Sequence, residues 1–174
     1  MEKQSMKSLI LNYGIMLGVI SIMISVIGYI TSDNYFEQNS IVQIIGTLLL
    51  IVFIVIPIRI FKKNNNGFLE LGQAIKISLG VSAISAILSA VYIWVFSNYI
   101  EPDFLNMLIE YQKAEAIKAN PTMSAEQLNQ GIEAARNFMM PMTYVMIIAV
   151  TLFVGFLTGL ITGLVLKKSR PQAY

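Results

Sequence analysis

Chemistry in a protein depends on side chains that carry protons, attack carbon or hold ions, and this chain of 174 residues has few of them. It contains neither cysteine nor histidine. Thiol nucleophiles, disulfides, Cys/His zinc sites, haem ligation, imidazole acid–base catalysis and lipoprotein acylation at cysteine are therefore ruled out. The densest ionisable set is four carboxylates, Asp33, Glu37, Glu101 and Asp103. Converging, they would offer a divalent cation the hard oxygen ligands it needs. The plainer expectation is that they are the acids of a translocated surface. A second set is a stripe of hydroxyls, Ser78, Ser82, Ser85 and Ser89, spaced four, three and four apart. It would line a polar path or bond its own helix backbone. No phosphate-binding glycine loop, HExxH or GxSxG is present, and Gly155-Phe156-Leu157-Thr158-Gly159 is a GxxxG spacing. No catalytic residue, cofactor site or metal site is assigned, and the chain is not read as an enzyme.

The elements that position these groups are set by composition. Apolar residues make up 56% and charged residues 13%, about half the charge usual in soluble chains. The net charge of +2 is too small to suggest nucleic acid. Four long apolar runs dominate: Leu9 to Ile30, Ile41 to Ile58, Ile77 to Ser97 and Met142 to Leu166. As helices they measure roughly 27 to 38 Å, against a hydrocarbon core of about 30 Å. The first run is too long for a signal-peptide core, and no small-x-small cleavage site follows it. The expected fold is all-α, an integral membrane four-helix bundle forming one domain over 1–174. Its spans lie at about 9–30, 41–61, 75–97 and 142–166, with an outer helical segment over 98–141. None of the runs carries the ionisable residue that transporters and pumps usually place inside the bilayer.

Charge sets the orientation. The N-terminal tail carries Lys3 and Lys7, the second connection Arg59, Lys62, Lys63 and Lys76, and the C-terminal tail Lys167, Lys168 and Arg170. Only Glu2 and Glu70 share that side. The opposite side holds eight acids with Lys113, Lys118 and Arg136. Basic residues resist translocation, so both termini are expected to be cytoplasmic. Tyr29, Tyr35, Phe36, Trp94, Tyr99 and Tyr144 gather at the outer boundary as an interfacial belt. The basic second connection turns at Lys62 to Gly67, where glycine suits positive φ. A lipid-headgroup sensor is one reading of it, and snorkelling orientation charges are the simpler one.

In the outer segment a helix is predicted from Pro102, in the first-position role proline favours. Asn120-Pro121 stops it. Ser124 with Gln127 forms a capping box for a second helix over about 125–138. Together they predict an amphipathic hairpin. Small residues mark packing faces: Gly14, Gly18, Ser21, Ser25 and Gly28 in span one, the serine stripe in span three, and Gly155, Gly159 and Gly163 in span four. Such faces let helix backbones approach where the hydrophobic effect is absent. Contacts within the chain are the first expectation, and a homo-oligomer or a membrane-protein partner also fits. Span two is bulky throughout Leu48 to Ile56 and is expected to be the most lipid-exposed.

The segment Gly67-Phe68-Leu69-Glu70-Leu71-Gly72-Gln73-Ala74, leading to Gly80 and Tyr92 and then to Tyr99-Ile100-Glu101-Pro102-Asp103-Phe104, carries a resemblance. With four spans and a helical outer loop, the chain resembles the small bacterial four-span membrane proteins of the domain-of-unknown-function family 4199. The resemblance implies a multi-pass protein of the bacterial inner (cytoplasmic) membrane. It supplies no activity, cofactor or catalytic residue. The leading expectation is a non-enzymatic membrane scaffold or accessory subunit in contact with the lipid bilayer. The alternative is a small transporter or channel subunit acting as an oligomer. A water-accessible path along all four stripe serines would favour transport, and a dry, closed contact would favour the scaffold.

Overall fold

A computed structural model of the chain describes residues 5–31, 36 and 40–170. The elements in order are α1 (Met6–Thr31), α2 (Ser40–Asn64), α3 (Leu71–Val95), a π-helical turn (Phe96–Ile100), α4 (Phe104–Ala119) and α5 (Ala125–Leu166). Among the described residues the β pairing consists of an isolated antiparallel bridge between Leu69 and Lys168. The fold is all-α. Four helices are long and apolar enough to cross a membrane, with mean hydropathy from 2.0 to 2.8 over their most apolar stretches. Only 17 to 28% of those stretches is buried inside the protein. So much outward-facing apolar surface is tolerable only against lipid. The chain is therefore a multi-pass membrane protein.

Two compact units divide the chain. The first holds residues 1–89 and 148–174, the second 90–147. In the first unit Leu17, Ile54, Ile58, Leu69, Ala74, Ile77 and Val81 form the core, with Met6, Tyr13, Phe61 and Leu166 packed on it. Tyr13 meets Phe53 edge-on at 6.2 Å. Helices α1 and α3 pack closely because glycine faces a branched side chain at each crossing point. A Cβ on Gly14 would sit 2.8 Å from Ile84 Cβ, and one on Gly80 would sit 2.7 Å from Ile10 Cγ2.

Span two has the lowest buried share of the four, as expected, but it ties with α1 at 17%. One face nevertheless turns inward, since Ile54, Pro57 and Ile58 are among the most deeply buried side chains. Its lipid face is a stripe, with Ile45, Leu48, Val52 and Ile56 exposed. A uniformly aliphatic run has no polar residue to mark which face turns inward.

The connection after α2 is closely determined. Asn66 (φ 57°) and Gly67 (φ 82°) both adopt left-handed backbone. The Gly67 amide donates to the Lys62 carbonyl at 2.9 Å, the long bond of a Schellman cap. Gln73 reaches back to accept from the Glu70 amide at 3.0 Å and opens α3.

In the second unit Phe96 is buried, packing edge-on against Phe104 at 5.6 Å and beside Tyr92 at 5.7 Å. The predicted helix from Pro102 begins instead at Phe104, with Asp103 as its N-cap. The capping box forms as expected: the Ser124 amide donates to Gln127 Oε1 and the Gln127 amide to Ser124 Oγ, both at 3.2 Å. The second outer helix does not stop near residue 138. It continues through Pro141 to Leu166 as one helix of 42 residues, about 63 Å long and twice the hydrocarbon thickness. Proline's φ is helical and only one backbone donor is lost. In the same turn the Thr143 hydroxyl donates to the Met139 carbonyl at 2.9 Å, an added bond beside the proline rather than a replacement for the one it removes.

Candidate functional site

Inside the first unit the serine stripe of α3 meets two different environments. Its lower half forms a seam with α5. A Cβ on Gly155 would overlap Ser82 Oγ and lie 2.8 Å from Ser82 Cβ. One on Gly159 would overlap Ser78 Oγ and lie 2.5 Å from Ser78 Cβ. One on Gly163 would lie 2.9 Å from Ala74 Cβ. The GxxxGxxxG face of α5 therefore receives the serines of α3 directly, Gly155 and Gly159 each aiming a Cα–H at a serine oxygen. That geometry repeats at both pairs, as Cα–H···O contacts do between closely packed helices. Ser78 and Ser82 are fully buried. Ser78 donates to the Ile75 carbonyl of its own helix at 2.9 Å. Ser82 Oγ is buried with no conventional hydrogen-bond partner, which costs about 1–3 kcal/mol and leaves it the Gly155 Cα–H.

The upper half lines a cavity of about 270 Å³. Ser85 and Ser89 of α3, Ser21 of α1, Thr47 of α2 and Thr151 of α5 bring five hydroxyls to it. Leu17, Leu50, Val150 and Val154 make the apolar wall, and none of the lining groups is ionisable. Such a site can exchange hydrogen bonds with water or a small neutral polar group. It offers no acid, base or charge to a reaction. Ser21, Ser85 and Ser89 were visible as members of small-residue faces. Thr47 and Gly46 were missed, although their interruption of an aliphatic run was the available signal.

The second unit holds a cavity of about 370 Å³ between α4 and α5, where Gln112 faces Phe138, Met139, Met142 and Met146. Methionine's flexible thioether lets such a groove fit partners of different shape.

Of the acidic set, Asp33 and Glu37 lie outside the described residues. Asp103 Oδ1 accepts from Asn106 Nδ2 at 2.6 Å, and Asn106 Oδ1 accepts from Arg136 Nη2 at 3.0 Å. Asp103 thereby anchors a three-residue relay tying α4 to α5. Among the described residues no three acids gather where they could hold a metal ion. Of the expected aromatic belt, Trp94 and Tyr99 pair edge-on at 5.7 Å and are half to mostly exposed.

The segment that carried the resemblance falls at the Schellman-capped turn, the start of α3, and the π turn that leads to α4. A family model matches over residues 12–168, nearly the whole chain. The chain belongs to the DUF4199 family, described as proteins of unknown function. No curated protein and no solved structure matches it. The match in the DUF4199 chain covers the serine–glycine seam, the hydroxyl cavity and the Leu69–Lys168 bridge alike.

Proposed function

We propose that this DUF4199 protein is a non-enzymatic scaffold or accessory subunit of the bacterial inner membrane, with both termini cytoplasmic. The seam carries the reading. Ser78 and Ser82 are the polar groups a path along α3 would need, and they are filled by α5 glycines rather than by solvent. A close-packed seam gives a rigid frame, and the methionine-lined groove of the second unit gives an adaptable surface for a membrane-protein partner. The orientation follows from the basic bias of the connections. The Leu69–Lys168 bridge supports it further, since it joins the second connection to the C-terminal tail on one side. A small transporter or channel subunit is the second reading, and the hydroxyl cavity is what favours it.

Because the chain has no native cysteine, single cysteines separate the two readings cleanly. In membrane vesicles, Ser82→Cys is expected to react with a small methanethiosulfonate at least tenfold more slowly than Ser89→Cys. Equal, rapid reaction at both positions would show a wetted path and establish the transport reading instead.

A further inference from the structure

The cytoplasmic end of the first unit is built more closely than orientation charges require. Residue 168 pairs with residue 69 through two backbone hydrogen bonds, Leu69 N–H to the Lys168 carbonyl at 3.0 Å and Lys168 N–H to the Leu69 carbonyl at 2.9 Å. The Lys168 ammonium lies 5.6 Å from the centre of the Phe68 ring. Asn65 is the hub. Its amide nitrogen donates to the Phe68 carbonyl at 3.0 Å, and its oxygen accepts from Arg170 Nη2 at 2.8 Å. That bond uses one of five guanidinium donors, so Arg170 is oriented with four remaining. The clasp folds the tail cations Lys167, Lys168 and Arg170 onto the turn that follows Lys62 and Lys63, one helical turn beyond Arg59. None of these six is in an ion pair with a described carboxylate.

A second feature adjoins the first. Leu48, Val52, Ile56, Arg59 and Lys63 share one face of α2, at spacings of four, four, three and four. All five are exposed. The face is apolar for three turns and then basic, the arrangement of acyl chain and phosphate in a phospholipid. A phospholipid would engage the cations and the adjoining lipid face of α2 together, whereas a soluble anion would engage the cations alone.

We propose that the clasp between the α2–α3 connection and the C-terminal tail binds the phosphate of an anionic phospholipid. Lys63, Arg59, Lys168 and Arg170 meet the headgroup, and an acyl chain lies along the exposed face of α2. Arg170 presents its free donors as a fork suited to phosphate oxygens, and Asn65 is the positioning residue that holds it. Basic pockets of this kind on the cytoplasmic side bind lipid headgroups with a gain set by each cation near the surface.

The full-length protein in neutral detergent, titrated with palmitoyl-oleoyl phosphatidylglycerol or phosphatidylcholine, provides the test. Native mass spectrometry reads the lipid retained, and a thermal melt without added lipid reads folding. Phosphatidylglycerol is expected to bind at least tenfold more tightly than phosphatidylcholine. Lys63→Gln, an exposed side chain in no ion pair, should weaken phosphatidylglycerol about fivefold, and Lys63→Gln with Arg170→Gln roughly twentyfold. Neither should alter phosphatidylcholine, and Lys113→Gln in the second unit should change nothing. Equal retention of both lipids would overturn the proposal, as would an unchanged affinity in the well-folded Lys63→Gln protein. Displacement of phosphatidylglycerol by millimolar glycerol phosphate would also overturn it, by assigning the site to a soluble phosphate.

Discussion

Leucine at position 159 is expected to lower the thermal midpoint of the purified protein by about 6–12 °C. A Cβ added at Gly159 would lie 2.5 Å from Ser78 Cβ and 3.4 Å from the Ala74 carbonyl oxygen. One obstacle is backbone and the other is anchored on the first side-chain carbon, so neither can swing aside. Helix α5 must move away from α3, and the contacts at Gly155 and Gly163 loosen with it. Overpacking a close site costs about 1–3 kcal/mol. Spread over the neighbouring pairs, the upper figure of about 3 kcal/mol applies, at 2–4 °C per kcal/mol for a chain of this size. The comparison is Leu48→Ala, on the exposed face of α2, which should change stability by less than about 0.5 kcal/mol. Replacing Ser78 with glycine in the Gly159→Leu protein should recover part of the loss. Similar destabilisation by Leu48→Ala and Gly159→Leu would remove the seam from the account.

Truncating Phe96 to alanine is expected to cost about 3–5 kcal/mol, the usual range for a buried phenylalanine. Its ring is 1% exposed and packs against Phe104 and Tyr92, so it joins the π turn to the first turn of α4. The loss should be confined to the second unit. Limited proteolysis at the exposed turn 120–124 and hydrogen exchange over α4 would report it, with α1 and α2 remaining protected. Arg136→Ala, which removes one exposed hydrogen bond to Asn106, should cost only about 0.5–1.5 kcal/mol. Uniform exchange through both units after Phe96→Ala would show that they unfold together and contradict this local role.

What could be read along the chain was what is decided locally. Ser124 and Gln127 are three residues apart and cap each other within one turn, so their types and spacing suffice. Asn120-Pro121 stops α4 for an equally local reason. The glycine and serine faces were legible as faces, because helical periodicity fixes which residues align. Their pairing was not, since Gly159 meets Ser78 across 81 positions of chain and nothing in either segment names the other. The inward face of α2 was hidden by a run of interchangeable aliphatics around Ile54 and Ile58. The second outer helix was expected to end near residue 138, yet α5 runs on through Pro141 because proline's own φ is helical and only one backbone donor is lost. The hydroxyl cavity needs five hydroxyls drawn from four helices. The tail clasp depends on Asn65 and Arg170, 105 residues apart. Both exist only once the helices are packed.

The topology is tested most directly by labelling single cysteines in intact cells with an impermeant thiol reagent. Lys63, Gln130 and Ser169 are exposed positions in a chain with no native cysteine. Cysteine at Gln130 is expected to react, while cysteines at Lys63 and Ser169 react only after the membrane is permeabilised. Labelling of Lys63→Cys or Ser169→Cys in intact cells, with Gln130→Cys protected, would invert the orientation. Opposite behaviour of Lys63→Cys and Ser169→Cys would contradict the account at its base, because the Leu69–Lys168 bridge requires both to lie on one side.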